Sequence, residues 1–519
     1  MKKGSITVFL ALILVLVLSF LFSLLEGARV FCLKSRAETV TEVCMQSMFG
    51  NYHAGLWEDY HLLFLDGTWQ GEEFSMEKFV QRIMYEAEEN LSGAKGYAGF
   101  GSWDLTCLAA ENMTVSSYEL ATDWNGGAFQ SQVSLQMKGE AVTDVLEELL
   151  EVQNQGQEAE GQKNQKEDRW EQAWDAIDQA EEWKEAREEE GQNTESGSSS
   201  GAAQAGESGE TAPGGAEELT SEGEGQTELE NPMDYVKEVK AASVLALVLK
   251  DPSKLSGKAL KDDDFIEKRQ LQAGNREQEP ETGMADRVLL QYYIQNYFSN
   301  YTAQSKKGPK EKVLDYEMEY LLGRKKSDSE NLETVVYELL GIREAMNFVT
   351  IMQDAEKKSL ALSIATGAVG FTGMMPLVKA VQIGVLLAWA FVESVLDVRA
   401  LLEGKKIPFL KRADQWTSDL DCRSSIEGYS EAEEDGEGLS YTQYLQMLLF
   451  LLSGKTINYR CMDMMERNEQ IRMDTMVQAV EGSFLYRAKP LFWNFNVLVR
   501  GGWKDFHIPA ETALSYAAD

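Results

Sequence analysis

Residues Ile6 to Leu25 are an uninterrupted uncharged, apolar run, preceded by Lys2 and Lys3 and followed by Glu26, Gly27, Ala28 and Arg29. About 20 residues at roughly 1.5 Å each make about 30 Å of helix, the thickness of a bilayer's hydrocarbon core. A cleaved secretory signal also has a basic start and an apolar middle, but its apolar part is usually about 7 to 15 residues and ends at a small-x-small site. Here the run is longer and ends in Leu24, Leu25, Glu26, Gly27, so a retained membrane anchor is the expectation. Ile6 and Leu25 bound it, Phe9 lies within it, and Glu26 and Arg29 are the first charges beyond it. Lys2, Lys3 and the terminal amine favour a cytoplasmic N-terminus. Arg29, Lys34 and Arg36 blunt that asymmetry, but the short leader leaves little chain to translocate. A single-pass protein of the cell membrane, with its bulk extracytoplasmic, follows.

The net charge of −36 is concentrated: Glu140 to Glu230 holds 27 acidic and 5 basic residues. That balance argues against nucleic acid as a partner, because phosphate binding needs clustered Lys and Arg. The five cysteines (Cys32, Cys44, Cys107, Cys422, Cys461) are scattered and include no C-x-x-C, which leaves both one or two disulfides and buried thiols open. Of the three histidines, His53 and His61 are eight apart, not at the i, i+4 spacing of a helical zinc site. No metal and no cofactor is expected.

The fold class expected is α+β: an N-terminal transmembrane helix, then a mixed helix and strand extracytoplasmic region interrupted by a disordered acidic linker. The divisions are 1–29 for leader and anchor, 30–150 for a membrane-proximal α+β module, 151–231 for the linker, and 232–519 for a C-terminal α+β domain with a helical core. Val30 to Tyr60 lacks Pro and extends the anchor helix outward; Glu73 to Glu89 reads as a helix. After the turn formers Asn125, Gly126 and Gly127, the alternation of Val133, Leu135 and Met137 predicts a strand. The linker has almost no aliphatic residues, so deleting Glu158 to Glu228 should leave its flanks folded. Within it Trp170, Trp174 and Ile177 share a helical face, either as a docking helix or, as composition favours, as a transient one. Beyond it, Tyr235 to Lys250 suggests a buried element, and Leu314 to Leu322 alternates as a strand would. Ser327 with Glu330 forms a capping-box pattern ahead of a helix of about seven turns. Ser359 to Val392 breaks at Pro376 into halves too short for a second span, so buried soluble helices are expected. Ser440 caps a further helix, Gly454 precedes a last one, and Met476 to Val497 reads as sheet, with Phe484, Tyr486, Phe492 and Trp493.

No catalytic residue stands out, because P-loop, H-E-x-x-H and dinucleotide fingerprints are all missing from the sequence. Asp315, Glu317 and Glu319 share one face of the predicted strand, but among 85 acidic residues a solvated face explains them better than acid/base work. Glu393, Asp397 and Arg399 read as an ordinary intrahelical charge pattern or an interaction surface.

Gly4-Ser-Ile-Thr-Val-Phe9, the apolar helix, and Glu26-Gly-Ala-Arg29 together resemble the start of TadE/TadG-like pseudopilins of tight-adherence (Tad/Flp) pilus loci. The resemblance implies a prepilin peptidase cut between Gly4 and Ser5; Phe9 stands where those proteins usually carry an acidic residue. Leu314 to Leu322, Glu330 to Glu333, Gly341 to Asn347, Ala388 to Glu393, Asp397 to Gly404 and Gly438 to Leu445 resemble an uncharacterised membrane-anchored family of Gram-positive bacteria encoded among Tad-type pilus genes. Taken with the anchor, this implies a non-enzymatic surface protein, a minor pilin-like or accessory component whose partners are the bilayer, other pilus or secretion-apparatus subunits and prepilin peptidase. The alternative is a membrane-anchored extracellular binding or adhesion protein outside any filament.

Overall fold

A computed structural model describes residues 3–69, 71, 73–92, 105–140, 143–194, 232–240, 243–418, 422–495 and 504–517. In chain order they form α1 (Lys3–Phe49), α2 (Ala54–Tyr60), β1 (Leu65–Asp66), α3 (Met76–Ser92), β2 (Leu108–Leu120), α4 (Asp123–Lys138), α5 (Thr143–Thr194), α6 (Pro232–Lys240) and α7 (Val244–Val248). The remainder is α8 (Met284–Tyr297), α9 (Glu317–Gly323), α10 (Asp328–Ile351), α11 (Ala355–Val369), α12 (Met375–Leu402), α13 (Cys422–Glu427), α14 (Tyr441–Leu451), α15 (Gly454–Glu469), β3 (Met476–Ala488) and β4 (Phe506–Ser515). The fold is α+β, as the sequence implies.

The antiparallel sheet has β3 at its centre, with β2 on one side and β1 and β4 on the other. The chain's two ends therefore share one sheet. Pro509 lies on the edge strand β4, where a missing N–H breaks no interior ladder. The outer half of α1 lies against the sheet: Leu33, Ala37, Val40, Cys44 and Met48, spaced three and four apart, are buried in one apolar cluster with Phe484, Tyr486, Ile508 and Ala510. The Thr41 and Tyr486 hydroxyls are 2.8 Å apart, and the rings of Phe49 and Tyr516 lie 4.8 Å from centre to centre. Helix α3 completes this layer.

A second, larger core is helical. α12 runs through it against α5, α10 and α11, and most of its apolar stretch is buried within the protein. Pro376 stands in its first turn, where the lost N–H costs nothing, so the residue that splits the apolar region starts a helix. α10 begins at the capping box of Ser327 and Glu330, and α14 at that of Ser440 and Gln443.

Five sequence readings are corrected. Val133, Leu135 and Met137 lie in helix α4: Val133 and Met137 are buried four residues apart on one face while Leu135 is exposed, so three alternating residues fit both periods. The predicted turn is there, with Trp124, Asn125 and Gly126 all left-handed, and a Cβ on Gly126 would lie 2.7 Å from that of Asn458. The segment from Leu314 forms no strand: it is irregular to Tyr316, then becomes α9, and its acidic residues are not solvated, since Glu317 and Glu319 are buried. Glu317 accepts from Lys312 Nζ (2.5 Å), Asn468 Nδ2 (2.9 Å) and the Ser299 amide (3.0 Å), so partners distant in sequence remove the cost that argued for exposure.

Third, residues 151–194 of the expected linker belong to α5, a Pro-free helix of strong helix formers packed on the helical core. Trp170, Ala173, Ala176 and Ala180 are buried on one face, and a Cβ on Gly156 would come within 2.8 Å of Met447. Lys166 Nζ and Trp170 Nε1 donate to the buried Glu344 of α10 at 2.8 and 2.6 Å. Small residues that read as disorder-promoting are the close-approach stripe of a docked helix, so deleting Glu158 to Glu228 would remove part of the core. Residues 195–231 of the linker lie outside the described residues. Fourth, Phe492 and Trp493 sit in a 3-10 turn, Phe492–Phe495, rather than in a strand; Val497 lies outside the described residues.

Glu393, Asp397 and Arg399 are likewise buried rather than on a surface. Arg343 Nε and Nη2 donate to Asp397 Oδ2 at 2.9 and 2.8 Å, and Asn347 Nδ2 donates to the same oxygen at 2.8 Å. Lys411 Nζ reaches Asp397 Oδ1 (2.5 Å) and pairs with Glu393. Burial alone would raise the Asp397 carboxyl, but Lys411 and Arg343 together hold it below its ordinary value.

Candidate functional site

The sequence-derived site residues all lie on α1, an unbroken helix of 47 residues and about 70 Å. Gly4 and Ser5 fall in its first turns. Ile6, Phe9 and Leu25 belong to a half that is long and apolar enough to cross a membrane and is exposed over nearly all its circumference. Glu26 and Arg29 are a different case, because both are buried.

Their burial comes from a clamp that the primary structure does not display. Arg29 Nη1 donates to Glu26 Oε1 at 2.7 Å, an i, i+3 pair on the helix. Arg29 Nε and Nη2 donate to the carbonyls of Leu105 and Thr106 at 2.5 and 2.6 Å, just before β2. Glu26 Oε2 accepts from the amides of Leu491 and Phe492 at 3.1 and 2.6 Å, just after β3. One ion pair thus binds the strand ends of the sheet to the helix where its apolar run stops. Each charge receives hydrogen bonds beyond the pair itself, the condition under which a buried pair is tolerated. Asn494 Nδ2 closes the following turn onto the Pro490 carbonyl (2.5 Å), and Trp493 packs edge-on against Phe506 of β4 with centroids 5.7 Å apart.

Leu105, Thr106, Leu491 and Phe492 are members of the clamp that reasoning from sequence missed. The available signal was an acidic residue at the end of an apolar run, three before an arginine; a buried pair needs partners beyond itself, and for both charges these come from far along the chain.

The family model described as a family of unknown function, DUF5702, matches residues 222–488. The chain belongs to that family. The DUF5702 match takes in α6 to α15 and β3, and ends three residues before Leu491; Glu26 and Arg29 lie outside it. No curated protein and no solved structure matches the chain.

Chemically, the clamp holds and orients: its one carboxylate is buried and engaged by Arg29 and two backbone amides. Among the described residues no group of three or more His, Cys, Asp or Glu side chains is placed to hold a metal ion. The sequence's acid/base candidate resolves into separate structural roles. Burial pushes the Glu319 carboxyl up from 4.5 to about 7, against the opposing pull of hydrogen bonds from the Tyr301 amide and the Tyr441 hydroxyl, both 2.8 Å. Asp315 instead pairs with Lys258 at 2.7 Å. An open cleft of about 670 Å³, lined by Asn51, Asp66, Trp69, Lys78, Arg82 and Tyr85, lies beyond the outer end of α1.

Proposed function

We propose that this chain is a non-enzymatic, single-pass membrane protein of the cell surface, with its N-terminus cytoplasmic and its bulk extracytoplasmic, that serves as a minor pseudopilin-like or accessory component of a Tad/Flp-type pilus or secretion apparatus. The observation that carries the reading is one continuous helix whose apolar half is exposed and whose other half is packed into the head. A subunit that sits in a bilayer and then packs against sister helices needs such a rod, since in lipid all backbone groups must be satisfied within the helix. The N-terminal likeness to TadE/TadG-like pseudopilins supports it. The head, far larger than a minimal pilin's, favours a tip, priming or anchoring role over that of a repeating subunit. Partners are the bilayer, sister subunits and prepilin peptidase acting between Gly4 and Ser5.

The test is the mature N-terminus of the protein recovered from membranes and from sheared surface fractions. A Ser5 N-terminus with release into the sheared fraction is the expected result. An intact Met1 held wholly in membranes would favour a membrane-anchored binding or adhesion protein, a reading that the cleft lined by Trp69, Tyr85 and Arg82 also favours.

A further inference from the structure

We infer that the turn Phe492–Phe495, together with Leu105, is a second membrane contact: an apolar foot of the head that enters the lipid beside the anchor helix. The inference rests on the membrane-anchored reading above and adds to it a lipid-binding surface on the head.

The depth follows from α1 used as a ruler. Glu26 ends the apolar run, and Phe22 lies four residues, about 6 Å, on its apolar side. The rings of Phe22 and Phe495 are 6.3 Å apart, so Phe495 sits at the level of residues that the run places in hydrocarbon. Phe495 is nonetheless 62 % exposed in the protein alone. A second observation agrees. On α1 the buried positions Ser19, Glu26, Arg29, Leu33 and Ala37 follow one stripe at spacings of seven, three, four and four. Contact with the rest of the protein therefore continues past the clamp, to about 10 Å beyond Glu26 at 1.5 Å per residue. Leu105, held by its carbonyl to Arg29, and Phe31 are also exposed apolar side chains, within a few residues of Glu26 along the same axis.

The occupant of this surface is set by continuity. A rod already committed to lipid carries the Phe495 ring with it to the hydrocarbon side of Glu26, at the outer edge of the core, where burying an apolar ring is favourable. The turn cannot swing clear without breaking the bonds from the Leu491 and Phe492 amides to Glu26. Two such contacts, one spanning and one interfacial, restrict the tilt of the head on the membrane, which a single helix does not.

Photo-crosslinking of the full chain in phosphatidylglycerol/phosphatidylethanolamine nanodiscs tests this, with the probe p-benzoylphenylalanine placed singly at position 495, 20 or 85. Position 20 reports the span. Position 85 is the aqueous control, since Tyr85 shares a cleft with Asn51, about 35 Å along the α1 axis from Glu26. Expected are phospholipid adducts at 20 and 495 and a yield at least tenfold lower at 85. Adducts at 20 but not at 495 overturn the foot and leave the anchor standing. Adducts at neither position overturn the membrane reading and the foot with it. Protein adducts in place of lipid at 495 also overturn the foot, identifying that surface as a subunit contact.

Discussion

Replacing Glu26 with Ala removes the acceptor of two backbone amides and strands a buried guanidinium. Hydrogen bonds to a charged group contribute about 1.5 to 3 kcal/mol each, and breaking one partner of a buried pair costs about 3 to 5 kcal/mol. The two figures describe the same carboxylate and do not add, so the expected local cost is about 3 to 5 kcal/mol. It falls on the junction between α1 and the end of β3, because the Leu491 and Phe492 amides point at Glu26 Oε2. At about 1.4 kcal/mol per factor of ten, amide hydrogen exchange at those two residues should accelerate by about two to three and a half powers of ten. Native-state exchange of the full chain in nanodiscs, read by mass spectrometry on peptides covering Leu491 and Phe492, measures this. Glu38 provides the control: it lies on the same helix, is exposed, and among the described residues pairs with Lys34 at 4.0 Å, so Glu38→Ala should change stability by less than about 0.5 kcal/mol. Unchanged protection at Leu491 and Phe492 in Glu26→Ala would refute the clamp. A double-mutant cycle with Arg29→Ala should return a coupling of about 0.5 to 3 kcal/mol.

Three further outcomes follow from the core. Because the Glu319 carboxyl rises from 4.5 to about 7 on burial, the folded state holds its proton longer than the unfolded one. Its favourable balance is complete below pH 4.5 and is lost as pH rises to about 7, so urea midpoints of wild type and Glu319→Gln should diverge, the variant gaining about 3 kcal/mol between pH 4.5 and pH 8; parallel curves would contradict it. Arg343→Met leaves Asp397 and Lys411 buried without the guanidinium and should cost about 3 to 5 kcal/mol, seen as lost trypsin resistance of the helical core; wild-type resistance would show that the network is dispensable. Trp170→Ala should destabilise by about 3 to 5 kcal/mol and raise exchange along residues 159–180; a change under about 0.5 kcal/mol would mean that α5 does not dock.

What could be read directly was whatever a few neighbouring residues encode. The apolar run, the capping box at Ser327, the cap at Ser440, the break at Pro376 and the aromatic strand at Phe484 and Tyr486 were all legible, because a cap or a periodicity is complete within one or two turns. The strand readings at Val133 and Leu314 failed where a short alternation also satisfied a helical period, or where every face became buried. Helix α5 failed through composition: glycines and alanines carry little apolar signal, yet they are what lets a helix approach Met447 and the core closely.

By itself the sequence determined a greasy helical rod, an acidic chain and a set of local helix starts, since each depends on the chemistry of adjacent residues. Only the tertiary structure decided that Glu26, Glu319, Glu344 and Asp397 are buried rather than solvated. The physical reason is that burying a charge depends on its partners, and these arrive from far along the chain: the Leu491 amide that meets Glu26 is 465 residues away.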